Sequence, residues 1–230
     1  MELSKPNHIV IIPDGNRRWG EQHGITREEA YRIGIEKIAD IAGWCRDEGV
    51  RILTMWGFST ENFQREPEEI KNLFGLFQRN LMEAVKRRGE GEKYGVRVRF
   101  LGRISLFPKE VQDLFNEVEK LTSDKKDYQL NLLLAYGGRA EIVDAVNAAL
   151  GEGKKEIDED AISSHLYTAG IPDPDLVIRT SGEQRLSGLL PWQTAYSELY
   201  FSKKLWPDFT KDDFTEALKF YESTRRRFGR

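Results

Sequence analysis

His8-Ile-Val-Ile-Ile-Pro-Asp14-Gly15-Asn16-Arg17-Arg18-Trp19 runs the apolar stretch Ile9–Ile12 straight into a loop holding one carboxylate, one glycine, one amide and two guanidiniums. An apolar run without polar alternation is what a parallel strand covered on both faces requires. In an open α/β sheet, the loops at the C-terminal ends of such strands are where ligands bind. Asp14 suits a hard cation, Gly15 lets backbone N–H groups approach an anion, and Arg17 and Arg18 can fork onto phosphate oxygens. An ordinary polar turn with solvated arginines would use the same residue types, so the stretch speaks for the fold before it speaks for chemistry.

Five more runs read as buried strands: Ile52–Phe58, Val96–Leu101, Leu130–Tyr136, Leu176–Thr180 and Glu198–Phe201. Helical patterns lie between most of them. One spans about Glu28 to Glu48, and a second starts near Pro67, with Glu68 and Glu69 complementing the positive end of its dipole. In the second, Ile70, Leu73, Phe74, Phe77 and Leu81 fall on one stripe at helical spacing. A third follows Gly138, and a fourth begins near Thr210, with Asp213 placed to complete a capping box. Gly151–Lys155 reads as an exposed turn. The expectation is one α/β domain over residues 1–230, a mostly parallel six-stranded sheet covered by helices.

Composition narrows the classes. The 230 residues carry 35 Lys plus Arg against 38 Asp plus Glu, a net charge of −3, which speaks against a general nucleic-acid binder. A single cysteine, Cys45, excludes an internal disulfide framework and fits a reducing cytoplasm. The N-terminus lacks the apolar stretch of a signal peptide, and the run Leu130–Tyr136 is far shorter than the ~20 residues that span a bilayer. A soluble, cytoplasmic protein is expected. His8, His23 and His165 are dispersed without metal-ligand spacing, and neither a Walker A motif nor GxGxxG occurs.

Two further loops follow apolar strands. Phe58-Ser59-Thr60-Glu61-Asn62-Phe63-Gln64-Arg65 sets a hydroxyl, an amide and a guanidinium at a loop-to-helix entry, where helix capping is the commoner use of such residues. In Asp175-Leu-Val-Ile-Arg179-Thr-Ser-Gly-Glu-Gln-Arg185-Leu-Ser187, Arg179 ends a strand and needs a partner, and two arginines with a hydroxyl could clamp a diphosphate. Glu198 opens the sixth run, as a metal ligand or an ion-pair partner. The shared theme is guanidinium, hydroxyl, amide and carboxylate groups at strand ends. That set suits a diphosphate and a hard cation, and contains no obvious nucleophile.

The ordered set Asp14-Gly15-Asn16-x-Arg18-Trp19, Phe58-Ser59-x-Glu61-Asn62, Tyr136-Gly-Gly-Arg139, Leu176-Val-Ile-Arg179-Thr, Arg185-x-Ser187, Glu198-Leu-Tyr-Phe, Leu205-Trp-Pro-Asp-Phe and Arg227-x-Gly229 resembles the cis-prenyltransferase family over nearly the whole chain. The resemblance implies chain elongation: isopentenyl diphosphate is condensed onto an all-trans allylic diphosphate, farnesyl or geranylgeranyl, giving a polyprenyl diphosphate for a glycosyl-carrier lipid. It implies Mg²⁺ held by Asp14 and Glu198, with Asp14 essential and Asn62 matching the family's proton acceptor. Gly15, Asn16, Arg17, Arg18, Trp19, Arg27, Tyr31, Ser59, Thr60, Glu61, Phe63, Arg65, Arg179, Arg185, Leu186 and Ser187 match substrate positions. It further implies a product tunnel between two helices and the sheet, walled by the Ile70–Leu81 stripe and, opposite, by Ile35, Ile38, Ala39 and Ala42. A homodimer is implied, with Arg227 and Gly229 reaching the neighbouring site, and transient contact with a membrane surface at product release.

Four positions depart from the pattern usual in bacterial relatives. Tyr31 replaces His, Phe63 replaces Trp, Gln184 replaces His, and Gly188-Leu-Leu-Pro191 replaces an Asn-Phe-Leu-Leu run. These touch primer choice, product length and the second substrate's geometry. Two alternatives follow: a short-chain or dimethylallyl-accepting cis-prenyltransferase, and a non-catalytic subunit of the same fold, which the intact Asp14-Gly15-Asn16-x-Arg18 motif disfavours.

Overall fold

The computed structural model describes residues 5–86 and 94–224. Its strands are β1 His8–Ile12, β2 Ile52–Trp56, β3 Val96–Leu101, β4 Tyr128–Leu133, β5 Leu176–Arg179 and β6 Glu198–Phe201. They form one sheet in the order β3-β4-β2-β1-β5-β6. Every pairing is parallel, where the sequence promised only a mostly parallel sheet. Several strands stop short of their apolar runs. Phe58, Tyr136 and Thr180 are buried yet lie beyond the ladder, because burial continues into the loops after pairing ends.

The helices are α1 Asn16–His23, α2 Arg27–Asp47, α3 Pro67–Lys86, α4 Lys109–Thr122, α5 Gly138–Gly151, α6 Glu159–Ser163 and α7 Lys211–Ser223. Thr26 caps α2 by accepting the Glu29 N–H, and Thr210 and Asp213 cap α7 reciprocally. Three helices escaped the sequence reading: α1, α4 and the five-residue α6. α1 has only Gly20 buried and so no apolar stripe to read, whereas α4 carried a legible one in Val111, Phe115 and Val118.

β1 is buried throughout, and its side chains divide by alternation. Ile9 and Ile11 join Ile41 and Cys45 of α2 and Phe214 and Leu218 of α7 on one face. Val10 and Ile12 join Leu133, Tyr136, Leu189 and Leu190 on the other. α3 and α4 enclose a third cluster that meets the first at Leu132. From β1 the chain proceeds to β2 on one side, and from β5 to β6 on the other, so adjacent strands β1 and β5 flank the point where strand order reverses. A crevice at the C-terminal ends of strands at such a point is the expected ligand site.

Candidate active site

Asp14 and Arg179 are 165 residues apart in sequence, and the register that pairs Ile12 with Arg179 brings them together. Arg179 Nη2 donates to Asp14 Oδ2 at 2.8 Å, and the guanidinium is almost fully buried while the carboxylate is about a third exposed. The other arm of Arg179 donates to Ser187 Oγ at 2.8 Å and to the Arg185 carbonyl. One buried cation thus ties the β1 loop to the loop after β5. Its Nε is buried without a partner, a donor left over at a site suited to anions.

The Asp14 main chain is pinned from behind. Its carbonyl accepts from Thr180 Oγ1 at 2.7 Å and from Trp206 N at 3.0 Å. Gly15 follows at φ +109°, and a Cβ there would stand 2.8 Å from Leu205 Cδ2, so this position admits only glycine. α1 then starts at once, and its first free N–H groups accompany Arg17 and Arg18. Arg18 Nη2 donates to the carbonyl of Ser181, a residue at φ +83°, and Ser187 lies at φ +54°. Non-glycine residues in that region cost about 1–3 kcal/mol each and persist where surrounding structure over-determines them, commonly at ligand sites. Glu183 pairs with both Arg185 and Arg18.

On the opposite side of the mouth, Ser59 and Asn62 cap each other reciprocally before α3. Asn62 Oδ1 accepts the Ser59 N–H at 3.0 Å. Arg65 donates to the Tyr31 hydroxyl at 2.9 Å and to Glu69 at 3.0 Å, and Arg27 reaches Glu69 at 3.1 Å. Burial pushes the Tyr31 hydroxyl up to about 12.

Between these groups opens a cavity of about 830 Å³. Asp14, Gly15, Asn16, Arg17, Arg18, Tyr31, Ser59, Asn62, Arg65 and Arg179 all line it. Beyond them the wall turns apolar: Ile35, Ile38, Ala39 and Ala42 of α2 face Leu73, Phe77 and Leu81 of α3, with sheet and α4 side chains such as Leu132 and Phe115 as the floor. Ile70 and Phe74 of the stripe are not in that lining, while Asn80 and Ala84, which the stripe omitted, are.

Other expected site residues sit elsewhere. Trp19 stacks on His23 and donates to Asp208, away from the cavity lining. Phe63 packs among Phe58, Phe74 and Phe107, and Leu186 packs on the second-face core. Thr60 and Glu61 occupy the turn beside the cavity, and Arg27 reaches the mouth through Glu69. Glu198 lies apart from Asp14 within this chain. It pairs in register with Leu176, three residues before Arg179, which sets it roughly 10 Å from the Asp14 end of the sheet. Parallel strands thus carry the two carboxylates of one chain to opposite ends of the sheet. Arg227 and Gly229 lie outside the described residues.

No group of three or more His, Cys, Asp or Glu side chains that could hold a metal exists among the described residues. One carboxylate at a mouth lined by guanidiniums nevertheless fits Mg²⁺, which is commonly held by one or two carboxylates together with substrate phosphates. Sequence reasoning gave no role to Thr180, Leu205 or Trp206, and read Glu69 only as a partner of the α3 dipole. The run Leu205-Trp-Pro-Asp-Phe was visible as a pattern, but its task of buttressing Asp14 and Gly15 needed coordinates.

A cationic mouth opening on a long apolar cavity defines a protein that takes a diphosphate with a hydrocarbon tail. The family model described as putative undecaprenyl diphosphate synthase matches residues 12–229. An isoprenyl transferase of Thermus thermophilus is 44% identical over 98% of this chain and 89% of its own length. A geranylgeranyl-diphosphate-specific tritrans,polycis-undecaprenyl-diphosphate synthase of Pyrococcus horikoshii is 45% identical over 98% of this chain and 87% of its own. Among solved structures, lavandulyl diphosphate synthase from Lavandula x intermedia, in complex with dimethylallyl diphosphate, superposes with a TM-score of 0.92 at 34% identity over 100% of both chains. A probable undecaprenyl diphosphate synthase from Campylobacter jejuni gives 0.83 at 30% identity, over 99% of this chain and 100% of that one. The chain belongs to the undecaprenyl diphosphate synthase family of prenyltransferases. No described helix is long and apolar enough to cross a membrane.

Proposed function

We propose that this chain extends an all-trans allylic diphosphate, farnesyl or geranylgeranyl, by successive cis additions of isopentenyl diphosphate, releasing a polyprenyl diphosphate. The observation that carries the reading is the single cavity joining Asp14, Arg17, Arg18 and Arg179 to the apolar walls of α2 and α3. Arg17, Arg18 and the first turn of α1 hold the primer's diphosphate. Arg179, Arg185 and Ser187 hold the second diphosphate. Mg²⁺ held by Asp14 and diphosphate oxygens would neutralise charge gathering on the leaving group.

In each condensation one carbon–oxygen bond breaks, one carbon–carbon bond forms and one proton leaves. Diphosphate departs with the bonding electron pair, and the fixed guanidiniums meet the charge that develops on it. Asn62 is an orienting residue, because a neutral amide is a poor base and its oxygen is held by the Ser59 N–H. A diphosphate oxygen takes the proton. The apolar walls keep water from the cationic carbon. By family resemblance, Arg227 and Gly229 serve the site of a partner subunit.

A second reading, condensation onto dimethylallyl diphosphate or release of a short product, is favoured by the likeness to lavandulyl diphosphate synthase and by the departures at Tyr31, Phe63, Gln184 and Gly188-Leu-Leu-Pro191. Labelled isopentenyl diphosphate offered with dimethylallyl, geranyl, farnesyl or geranylgeranyl diphosphate separates the two. Long labelled products from the longer primers are expected, and Asp14→Ala, still folded, should lower turnover by about 10²–10³. Label entering only dimethylallyl products would replace the first reading with the second. Absence of incorporation with every primer would refute both.

A further inference from the structure

Glu69, in the first turn of α3, differs from its neighbours. Glu66 and Glu68 are exposed, whereas the Glu69 side chain is 12% exposed and carries three donors. Its Oε1 accepts from the Tyr31 hydroxyl and from Arg65 Nη1, each at 3.0 Å, and its Oε2 accepts from Arg27 Nη1 at 3.1 Å. Arg17 adds its charge from nearby. Burial alone would raise the pKa of this carboxyl. The Tyr31 hydrogen bond and the Arg65 and Arg27 guanidiniums outweigh it, so the group titrates below its ordinary range and stays charged.

A helix dipole would be served equally well by exposed Glu68, and needs none of these contacts. The cluster also has a defined place. Tyr31 and Leu73 line both the main cavity and an adjoining one of about 440 Å³, so Tyr31 and its partners form part of the wall between them. Without a carboxylate at this point, Arg27 and Arg65 would lose the one anion they share.

We propose that Glu69 is a positioning residue, holding Arg27 on one carboxylate oxygen and Arg65 with the Tyr31 hydroxyl on the other, against the repulsion of the two guanidiniums, so that their remaining N–H groups are jointly available to the primer's diphosphate. The inference rests on the function proposed above. Glu69 touches neither reacting atom; it acts through the guanidiniums. Its counterpart across the mouth is Arg179, one cation organising Asp14 and Ser187, where Glu69 is one anion organising two cations.

The test uses the full-length chain with Glu69→Ala, Glu69→Asp and Glu69→Gln. In Glu69→Ala the KM for the allylic primer should rise by about 10–100-fold, the scale of losing hydrogen bonds between charged groups, with kcat changed far less. Inorganic pyrophosphate, measured by calorimetry without turnover, should bind more weakly by the same factor. Glu69→Asp should recover much of the loss. Glu69→Gln should fall between, since its oxygen serves Tyr31 and Arg65 while its N–H groups oppose Arg27. Pyrophosphate affinity and KM both within about twofold of wild type would overturn the proposal, even with a lowered Tm, because they would leave Glu69 a structural latch. Should Glu69→Ala not fold, Tyr31→Phe keeps the ring, removes the shared hydroxyl and decides the matter by the same two readouts. A wild type that binds pyrophosphate through Glu69 yet extends no primer would refute the proposed function and leave this inference standing.

Discussion

Replacing Gly34 by alanine sets helix propensity against the geometry of the site. Gly34 lies inside α2, where alanine is favoured over glycine by about 0.5–1 kcal/mol. A Cβ at this position would stand 2.2 Å from Asn16 Oδ1 and 3.1 Å from Trp206 Cδ1. Trp206 cannot easily yield, because its indole N–H donates to the Gly34 carbonyl at 2.8 Å and its ring is buried. Asn16 must therefore retreat by about 1 Å to reach an ordinary carbon–oxygen contact. That movement strains the bond from Asn16 Nδ2 to the Pro13 carbonyl, 3.0 Å long, whose loss costs about 1 kcal/mol. The two stability effects nearly cancel, so Tm should move by less than about 4 °C in a chain of this size. Activity should not be spared, since a misplacement of about 1 Å at a diphosphate-binding loop is worth roughly 10²-fold. Thermal unfolding and initial-rate measurements on the same preparation check both halves. A rate within about threefold of wild type would refute the claim that Gly34 exists to seat Asn16. A rate loss matched by a collapse in Tm would refute the claim that fold and site separate here.

Three other outcomes are expected. Bulk at the deep wall, as in Leu81→Trp or Ala84→Leu, should shorten products before it slows the first condensation, whereas Gly75→Leu should not, because Gly75 is outside the cavity lining and a Cβ there meets only Arg79 Nη1 at 3.5 Å; product chromatography decides. His8, buried with its pKa lowered to about 4 from 6.5 chiefly by desolvation, leaves the unfolded chain the better proton binder between those values, so stability should be complete above pH 6.5 and fall by about 3 kcal/mol as pH drops to 4, with His8→Gln flattening urea midpoints over that window. Purified mixed dimers of an Asp14→Ala chain and one truncated after Thr224 should regain about half of wild-type activity if the tail acts in trans, and none if it serves its own subunit.

β1 and β5 were legible because burial on both faces leaves unbroken apolar runs, and Ile9–Ile12 needed nothing else. α2, α3 and α7 announced themselves through caps and stripes. α1 could not, since its eight residues bury only Gly20 and owe their helix to Gly15 and the Asp14 turn. At the site, residue types were readable and distances were not. Arg179 could be seen to need a partner, but that the partner is Asp14 follows from β1 pairing with β5. Glu198 shows the reverse. Its motif placed it beside a metal, and only the parallel register, by which a residue opening β6 lies level with the start of β5, removed it from Asp14. Glu69 was read as a dipole partner because sequence shows charge at a first turn without showing which carboxylate turns inward.

The cavity itself argues for use. Protein interiors pack at nearly crystalline density, and the atoms lining an unfilled apolar space forgo dispersion contacts they would otherwise have. α2 nevertheless turns Ala39 and Ala42, and α3 turns Ala84, toward a space walled by Leu132 and Phe115. Larger side chains at those three alanines would close the gap and recover contact energy, so their smallness opposes stability. The first turns of α2 and α3 are meanwhile joined through Tyr31, Arg65 and Glu69, which fixes the separation of the helices where the cavity opens. A hydrocarbon tail entering from that mouth would supply the missing contacts, and each added unit would bury more apolar surface at about 25 cal/mol per Å². The gain continues only while unfilled length remains, so the same space that draws the tail inward also sets where elongation stops.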